Sequence, residues 1–213
     1  IEDFLYSHFY NYDDFSDPAY NGGIVFDTLQ NENASKTPLS SQVSKQVISV
    51  KTADGNFIDH SLYYLIAREG TGIIPATVDS TYLSYEGLLL NKTVFDLSST
   101  PVWFDLTSVV RGFREGAHKF KSGDFKVNED NTVDFFGYGQ GAIFFPSGLG
   151  YFSRTSGAVP AYAPLIFKIN LYGVNQTDHD GDGILSADEF DNDGDGVPDD
   201  TDEDGTPDYL DAD

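Results

Sequence analysis

Hydrophobic and polar positions along this chain alternate far more often than they recur at helical spacing. Residues 46–51 and 62–67 read as strands flanking the turn Ala53-Asp54-Gly55-Asn56. Further strand-like runs follow at 80–85, 103–106, 120–127, 142–145 and 165–172. Two short helices interrupt them. Ile1, Phe4, Leu5 and His8 or Phe9 fall at helical spacing near the start. Later, Thr107 is placed to cap a helix, Val109, Val110 and Phe113 give it an apolar face, and Gly116 is placed to end it. Many strands around one internal helix predict an α+β fold. Three parts are expected: an N-terminal extension with a short helix at 1–59, a main domain at 60–174, and a loop-rich acidic tail at 175–213. The segment 173–177 reads as a hinge between the last two, and the extension is expected to pack on the main domain.

Charge sharpens that division. The 213 residues carry a net charge of -23, and 16 of the 35 acidic residues lie from position 178 onward, where no Lys or Arg occurs. Acidity is therefore a local device, and the rest of the chain has 19 acids against 12 bases. No basic stripe exists to replace phosphate counterions, which excludes nucleic acid as a partner. The absence of cysteine excludes disulfides, thiolate metal sites and cysteine nucleophiles. No apolar run approaches the roughly 18 residues that span a bilayer, so no transmembrane segment is expected. With Ile1 leading and no Met anywhere, the sequence reads as a mature form, with any signal peptide or lipid-anchoring cysteine upstream.

Within the tail the acids are spaced as ligands. Ca²⁺ takes six to eight oxygens, and alternating carboxylates on a tight loop supply them. Asp178, Asp180 and Asp182 stand at loop positions one, three and five, Gly183 at the sharp turn, Ile184 at the backbone-carbonyl position, Ser186 where a water can be held, and Glu189 at the closing bidentate position. The pattern repeats as Asp191, Asp193, Asp195, Gly196, Val197, Asp199 and Asp202. It repeats again, overlapping, as Asp200, Asp202, Asp204, Gly205, Thr206, Asp208 and Asp211. Pro198 and Pro207 stand where an EF-hand has its exiting helix, so the array resembles thrombospondin type 3 repeats more than paired EF-hands. Without calcium the carboxylates repel and the tail is expected to be disordered. Such a device suits a calcium-rich, extracytoplasmic compartment, periplasm or cell surface, where a rigid spacer is the expected role.

From about Tyr63 to Tyr172 six local motifs occur in one family's order. They are Arg68-Glu69-Gly70-Thr71-Gly72; Leu83-Ser84-Tyr85-Glu86-Gly87-Leu88-Leu89; Thr93-Val94-Phe95-Asp96-Leu97-Ser98; Val109-Val110-Arg111-Gly112-Phe113-Arg114-Glu115-Gly116; Phe145-Pro146-Ser147-Gly148-Leu149-Gly150-Tyr151; and Val159-Pro160-Ala161-Tyr162-Ala163-Pro164-Leu165-Ile166-Phe167. The segment resembles an FKBP-type peptidyl-prolyl cis-trans isomerase. More loosely, the whole resembles FKBP-like lipoproteins of Bacteroidetes-type bacteria. The resemblance implies an antiparallel sheet wrapped around a short helix, and a pocket lined by Tyr85, Phe95, Val109, Val110, Phe113, Tyr151 and Phe167. It also implies Asp96 as the polar wall, with the Val110 N–H and the Tyr151 hydroxyl holding ligand carbonyls. Phe113 replaces the family's usual Trp, and the stretch 98–102 is shorter than usual, which implies a shallower pocket.

His8, His60, His118 and His179 show no zinc spacing, and no G-x-S-x-G elbow occurs. Three readings stay open. The first is an isomerase, a monomer acting on proline-containing segments of exported proteins. The second is a non-catalytic proline-segment binder or chaperone-like module on the same fold. The third is a calcium-dependent surface or structural protein.

Overall fold

A computed structural model describes residues 1–52, 54–192, 194 and 197–212. Among the described residues, ten strands and three helices follow one another as α1 (Glu2–Ser7), β1 (His8–Tyr10), α2 (Tyr12–Phe15), β2 (Phe26–Thr28), β3 (Ser44–Lys51), β4 (Phe57–Arg68), β5 (Ser80–Leu89), β6 (Val94–Asp105), α3 (Arg111–Ala117), β7 (Asp124–Val127), β8 (Val133–Phe136), β9 (Gly139–Phe145) and β10 (Leu165–Asn175). Six strands form one antiparallel sheet in the order β3-β4-β9-β10-β5-β6. With α3 packed against it, this is the α+β architecture, a sheet wrapped against a short helix, that the sequence implies.

The period-2 alternation of the central strands decides what packs where. On β9, Ile143 and Phe145 face α3, whereas Ala142 and Phe144 face the other way. On β10, Leu165, Phe167, Ile169 and Leu171 share the α3 side, and Ile166 the opposite one. Because both faces are covered, β9 is buried along its whole length. Each fully buried Phe or Leu contributes roughly 1.5–3 kcal/mol of transfer free energy, so truncating Phe145, which has no exposed surface, is expected to cost about 3–5 kcal/mol.

The face away from α3 is closed by the N-terminal extension. Phe4, Leu5, Tyr10, Ile24, Phe26 and Leu39 pack on Leu65, Ala142, Phe144 and Ile166. Tyr63 donates its hydroxyl to Glu2 at 2.6 Å, and the Gln140 amide donates to the Gly22 carbonyl at 3.2 Å, fixing the extension at its start and again near its middle.

Helix α3 sits close on the sheet because glycines face it. A Cβ at Gly112 would lie 2.3 Å from the Phe145 ring, and one at Gly116 2.2 Å from Ile143. Gly116 is thus a packing residue inside the helix rather than its terminator; the helix ends at Ala117 with His118 as C-cap. Thr107 is not the cap either: Val110 stands at the N-cap of α3 and makes no side-chain cap bond. Thr107 belongs instead to a 3-10 turn over Leu106–Ser108 that leads into α3 and is capped by Asp105, whose Oδ1 accepts from the Thr107 N–H at 2.8 Å and from the Thr107 hydroxyl at 2.6 Å.

Three other expectations are corrected. The strand expected at 120–127 is only β7, because 121–123 passes tightly across the 70–73 loop. There Gly72 donates to the Ser122 carbonyl and Ser122 to that of Ile73, both at 2.8 Å. The strand expected at 103–106 is the end of a longer β6, and Leu106 already belongs to the turn. No hinge interrupts 173–177: β10 runs to Asn175 through a bulge between Leu171 and Gly173. Thr177 is then tied down, its N–H donating to Asp79 Oδ1 at 3.2 Å and its hydroxyl accepting from the Ser80 N–H at 3.2 Å.

Candidate functional site

A cavity of about 250 Å³ opens between the sheet and α3, lined by Tyr85, Asp96, Phe104, Ser108, Val109, Val110, Phe113, Tyr151 and Phe167. The side chains arrive on several different elements. Tyr85 comes from β5, Asp96 and Phe104 from β6, Phe113 from α3 and Phe167 from β10. Tyr151 follows the 3-10 turn Ser147–Leu149. Val109 and Val110 are held extended between the 106–108 turn and the helix, with φ, ψ of -102°, 167° and -62°, 144°.

The aromatic rings lock one another edge to face, the arrangement their quadrupoles favour. Phe113 forms the floor, 3% exposed, and meets Phe167 at 5.0 Å and 84°. Tyr85 meets Phe113 at 6.2 Å and 81°, and Phe104 meets Phe113 at 5.9 Å and 70°. Phe95, expected on the wall, stands behind it instead. It packs edge-on against Phe167 at 5.4 Å and over Gly87, where a Cβ would approach its ring to 2.7 Å. Phe104 and Ser108 are lining residues that the sequence reading missed. Phe104 was visible as an apolar strand residue, but its facing depends on an irregular stretch of β6.

One polar relationship dominates the rim. The Tyr85 hydroxyl donates to Asp96 Oδ2 at 2.9 Å, while Asp96 Oδ1 accepts from the Leu97 N–H at 2.9 Å. Burial, and then the bond to the Asp96 carboxylate, push the Tyr85 phenol up to about 12. The hydroxyl therefore stays a donor at every ordinary pH.

The acidic tail has a repeating frame. Asp178 Oδ1 accepts from Gly181 N–H at 2.7 Å and Oδ2 from Gly183 N–H at 3.1 Å; Asp182 Oδ1 accepts from Ile184 N–H at 2.7 Å. In the third loop, Asp200 Oδ2 accepts from Gly205 N–H at 3.0 Å and Asp204 Oδ1 from Thr206 N–H at 2.7 Å. The residue at position nine of each loop also turns back on position two. Ser186 accepts from His179 N–H, Asp199 from Asn192 N–H and Asp208 from Thr201 N–H, at 3.0, 2.6 and 2.6 Å. Ser186, expected to hold a water, is instead fully buried and bonded to His179 through both its backbone and its ring.

Carboxylate oxygens of Asp178, Asp180 and Asp182 lie within 4.8 Å of one another, as do those of Asp200, Asp202 and Asp204. Asp180 Oδ2, Glu189 Oε2 and Asp200 Oδ1 are buried without a hydrogen-bond partner among the described residues. Burial, with Asp180, Asp182 and Asp178 close by, pushes the Glu189 carboxyl above its ordinary value. Hard oxygens converging with lone pairs unused are a donor set that suits a divalent hard cation. In the second loop Asp191 and Val197 are described, whereas Asp193 and Asp195 lie outside the described residues. Asp211 ends the third loop and lines a cavity of about 370 Å³ with Asp182, Ile184, Glu189, Asp202 and Asp208.

Comparison with known proteins bears on the main domain. No family model matches the chain. The FKBP-type peptidyl-prolyl cis-trans isomerase FkpA of Aeromonas hydrophila is 28% identical over 160 residues, 73% of this chain and 51% of that protein. The peptidyl-prolyl cis-trans isomerase Mip of Coxiella burnetii is 30% identical over 148 residues, 68% of this chain and 56% of that protein. The chain thus spans about half the length of the curated relatives it matches. A solved peptidyl-prolyl cis-trans isomerase from Pseudomonas syringae pv. tomato overlays 60% of this chain and 81% of its own, at 25% identity and a TM-score of 0.45, too partial an overlay to carry weight. Several FKBP-type isomerases are relatives of this chain in sequence.

Proposed function

We propose that this chain is an FKBP-type peptidyl-prolyl cis-trans isomerase acting on proline-containing segments of exported polypeptides, with a calcium-ordered tail. The observation that carries the reading is the cavity in which Tyr85, Asp96, Val109, Val110, Phe113, Tyr151 and Phe167 converge. Its composition suits the reaction. The X-Pro amide resists rotation by roughly 18–20 kcal/mol of lost resonance, and no nucleophile or proton transfer is needed to lower that barrier. An apolar aromatic enclosure favours the twisted amide, in which charge separation across the C–N bond is diminished, and fixed donors hold the flanking peptide. Phe113 and Phe167 supply the enclosure under the proline ring. The Val110 N–H and the Tyr151 hydroxyl hold carbonyls. The Asp96 carboxylate, oriented by the Tyr85 hydroxyl and the Leu97 N–H, is the polar wall.

Asp178, Asp180, Asp182, the Ile184 carbonyl and Glu189 would hold one calcium ion; Asp200, Asp202, Asp204, the Thr206 carbonyl and Asp211 would hold another. The ion's part is charge neutralisation that lets the loops close. Buried, unpartnered carboxylate oxygens support this reading, and weak loop sites suit a calcium-rich compartment outside the cytoplasm. No helix among the described residues is long and apolar enough to cross a membrane.

Exchange spectroscopy on an X-Pro peptide tests the catalysis. Catalysed interconversion is expected with micromolar protein, reduced by Asp96→Ala and Tyr151→Phe at unchanged folding. Rates equal to those of the uncatalysed peptide would leave a proline-segment binder.

A further inference from the structure

The tail touches the elements that carry the cavity. His179, at position two of the first loop, stands between two partners: its Nδ1 is 2.8 Å from Ser186 Oγ and its Nε2 3.3 Å from Asp105 Oδ2. The other oxygen of Asp105 closes the 106–108 turn, whose last residue, Ser108, lines the cavity and leads into Val109 and Val110. Phe190, which joins the first two loops, is buried, with the Arg114 guanidinium 5.7 Å above its ring. Arg114 is the neighbour of the cavity floor, Phe113, on α3. Tyr209, at the end of the third loop, lies edge-on to both rings, 5.5 Å from His179 and 5.4 Å from Phe190. Three aromatic side chains from three parts of the tail thus meet in one cluster, against the turn and helix that form one side of the cavity.

We propose that the tail is a calcium-closed latch on the cavity, with His179 and Phe190 as positioning residues for the 106–117 segment. The inference rests on the calcium reading of the loops and adds a consequence for the cavity. The cluster can assemble only when the loops are folded, since the three rings come from separate stretches of the tail. Folding them brings the oxygens of Asp178, Asp180 and Asp182 within 4.8 Å of one another, and those of Asp200, Asp202 and Asp204 likewise. Uncompensated, that repulsion opposes the folded tail. A bound cation removes it, so binding favours the cluster, and through Asp105 and Arg114 it favours the ordered turn and helix. Linkage makes the coupling reciprocal: a ligand in the cavity tightens calcium binding. The tail is thereby more than a spacer.

Hydrogen exchange of the whole chain, read by mass spectrometry with millimolar calcium or with chelator, tests this without relying on turnover. Calcium is expected to slow exchange in 178–212, and also in 106–117, the latter about 5-fold or more. Arg114→Ala, and independently Phe190→Ala, should at least halve the response in 106–117 while the tail still responds, the remainder being carried by the His179–Asp105 contact; Phe190→Tyr, which keeps the ring, should restore it. Slowing confined to the tail in the unmutated chain would overturn the latch and leave the calcium reading standing. No slowing anywhere would overturn the calcium reading and the latch with it. An undiminished response in 106–117 in both alanine variants would overturn the assignment of the latch to these contacts.

Discussion

Tyr85 on β5 and Asp96 on β6 share a hydrogen bond of 2.9 Å across the rim of the cavity. The bond couples the aromatic wall to the one carboxylate that faces it. Burial and this bond raise the Tyr85 phenol to about 12, against an ordinary value of about 10. A raised folded value means that the contribution is fully present below the unfolded value and is lost as pH climbs toward the folded one. Stability of the unmutated protein is therefore expected to fall more steeply than that of Tyr85→Phe between about pH 10 and 12. Urea midpoints across that range check it, and parallel curves would refute the assignment.

Asp96 is expected to matter more to activity than to folding. It is a rim residue with the Tyr85 hydroxyl and Leu97 N–H as partners, so Asp96→Ala leaves no buried charge behind. Hydrogen bonds to a charged group are worth about 1.5–3 kcal/mol, which predicts a loss of roughly ten- to a hundredfold in kcat/KM. Asp96→Asn should retain part of that activity. Thermal midpoints measured on the same samples separate lost activity from lost fold.

Much of this cavity was legible in sequence because its motifs are local. Tyr85, Asp96, Val109, Val110, Phe113, Tyr151 and Phe167 each sit in a short recognisable stretch, and the fold brings them together. Phe104 was not legible. β6 pairs Ser98 with Tyr85 but Val102 with Leu83, so the register shifts between them and residue counting cannot tell which face Phe104 takes. Phe95 was misplaced for a related reason. The glycine opposite it, Gly87, lets the ring sink behind Phe167, and that depends on packing across strands. The docking of the tail was hidden because Phe190 and Tyr209 are isolated rings in a polar run. Periodicity registers stripes, and two anchors nineteen residues apart make none.

His8 supplies a pH dependence of opposite sense. Its ring stacks on Phe4 at 3.9 Å and 11°, at the edge of the cluster that seats the N-terminal extension on the sheet. Burial, outweighing the bond to the Phe4 carbonyl, lowers its pKa from the ordinary 6.5. A depressed folded value means that the unfolded chain takes up the proton first. The stabilisation is thus present above pH 6.5 and is lost as pH falls toward the lowered value. Unfolding midpoints of the unmutated chain should drop more than those of His8→Phe between about pH 7.5 and 5.5.

Calcium should stabilise the tail in a loop-specific way. Glu189 Oε2 is buried and unpartnered, and its carboxyl is raised by burial and by Asp180, Asp182 and Asp178. Each of these groups is unfavourable in the folded tail until a cation neutralises it. A ligand that binds only the folded form stabilises by about 2.7 kcal/mol at a hundredfold excess over its Kd, so chelator should expose residues 191–204 to proteases that calcium excludes. Glu189→Gln removes a charged ligand from the first loop only, and Asp204→Asn one from the third only. Each should weaken one class of site in calorimetric titration while the other remains. Magnesium, which keeps its waters and demands a regular octahedron, should protect the tail far less at equal concentration. Equal protection by both ions would show that screening of the acidic run, rather than coordination, orders it.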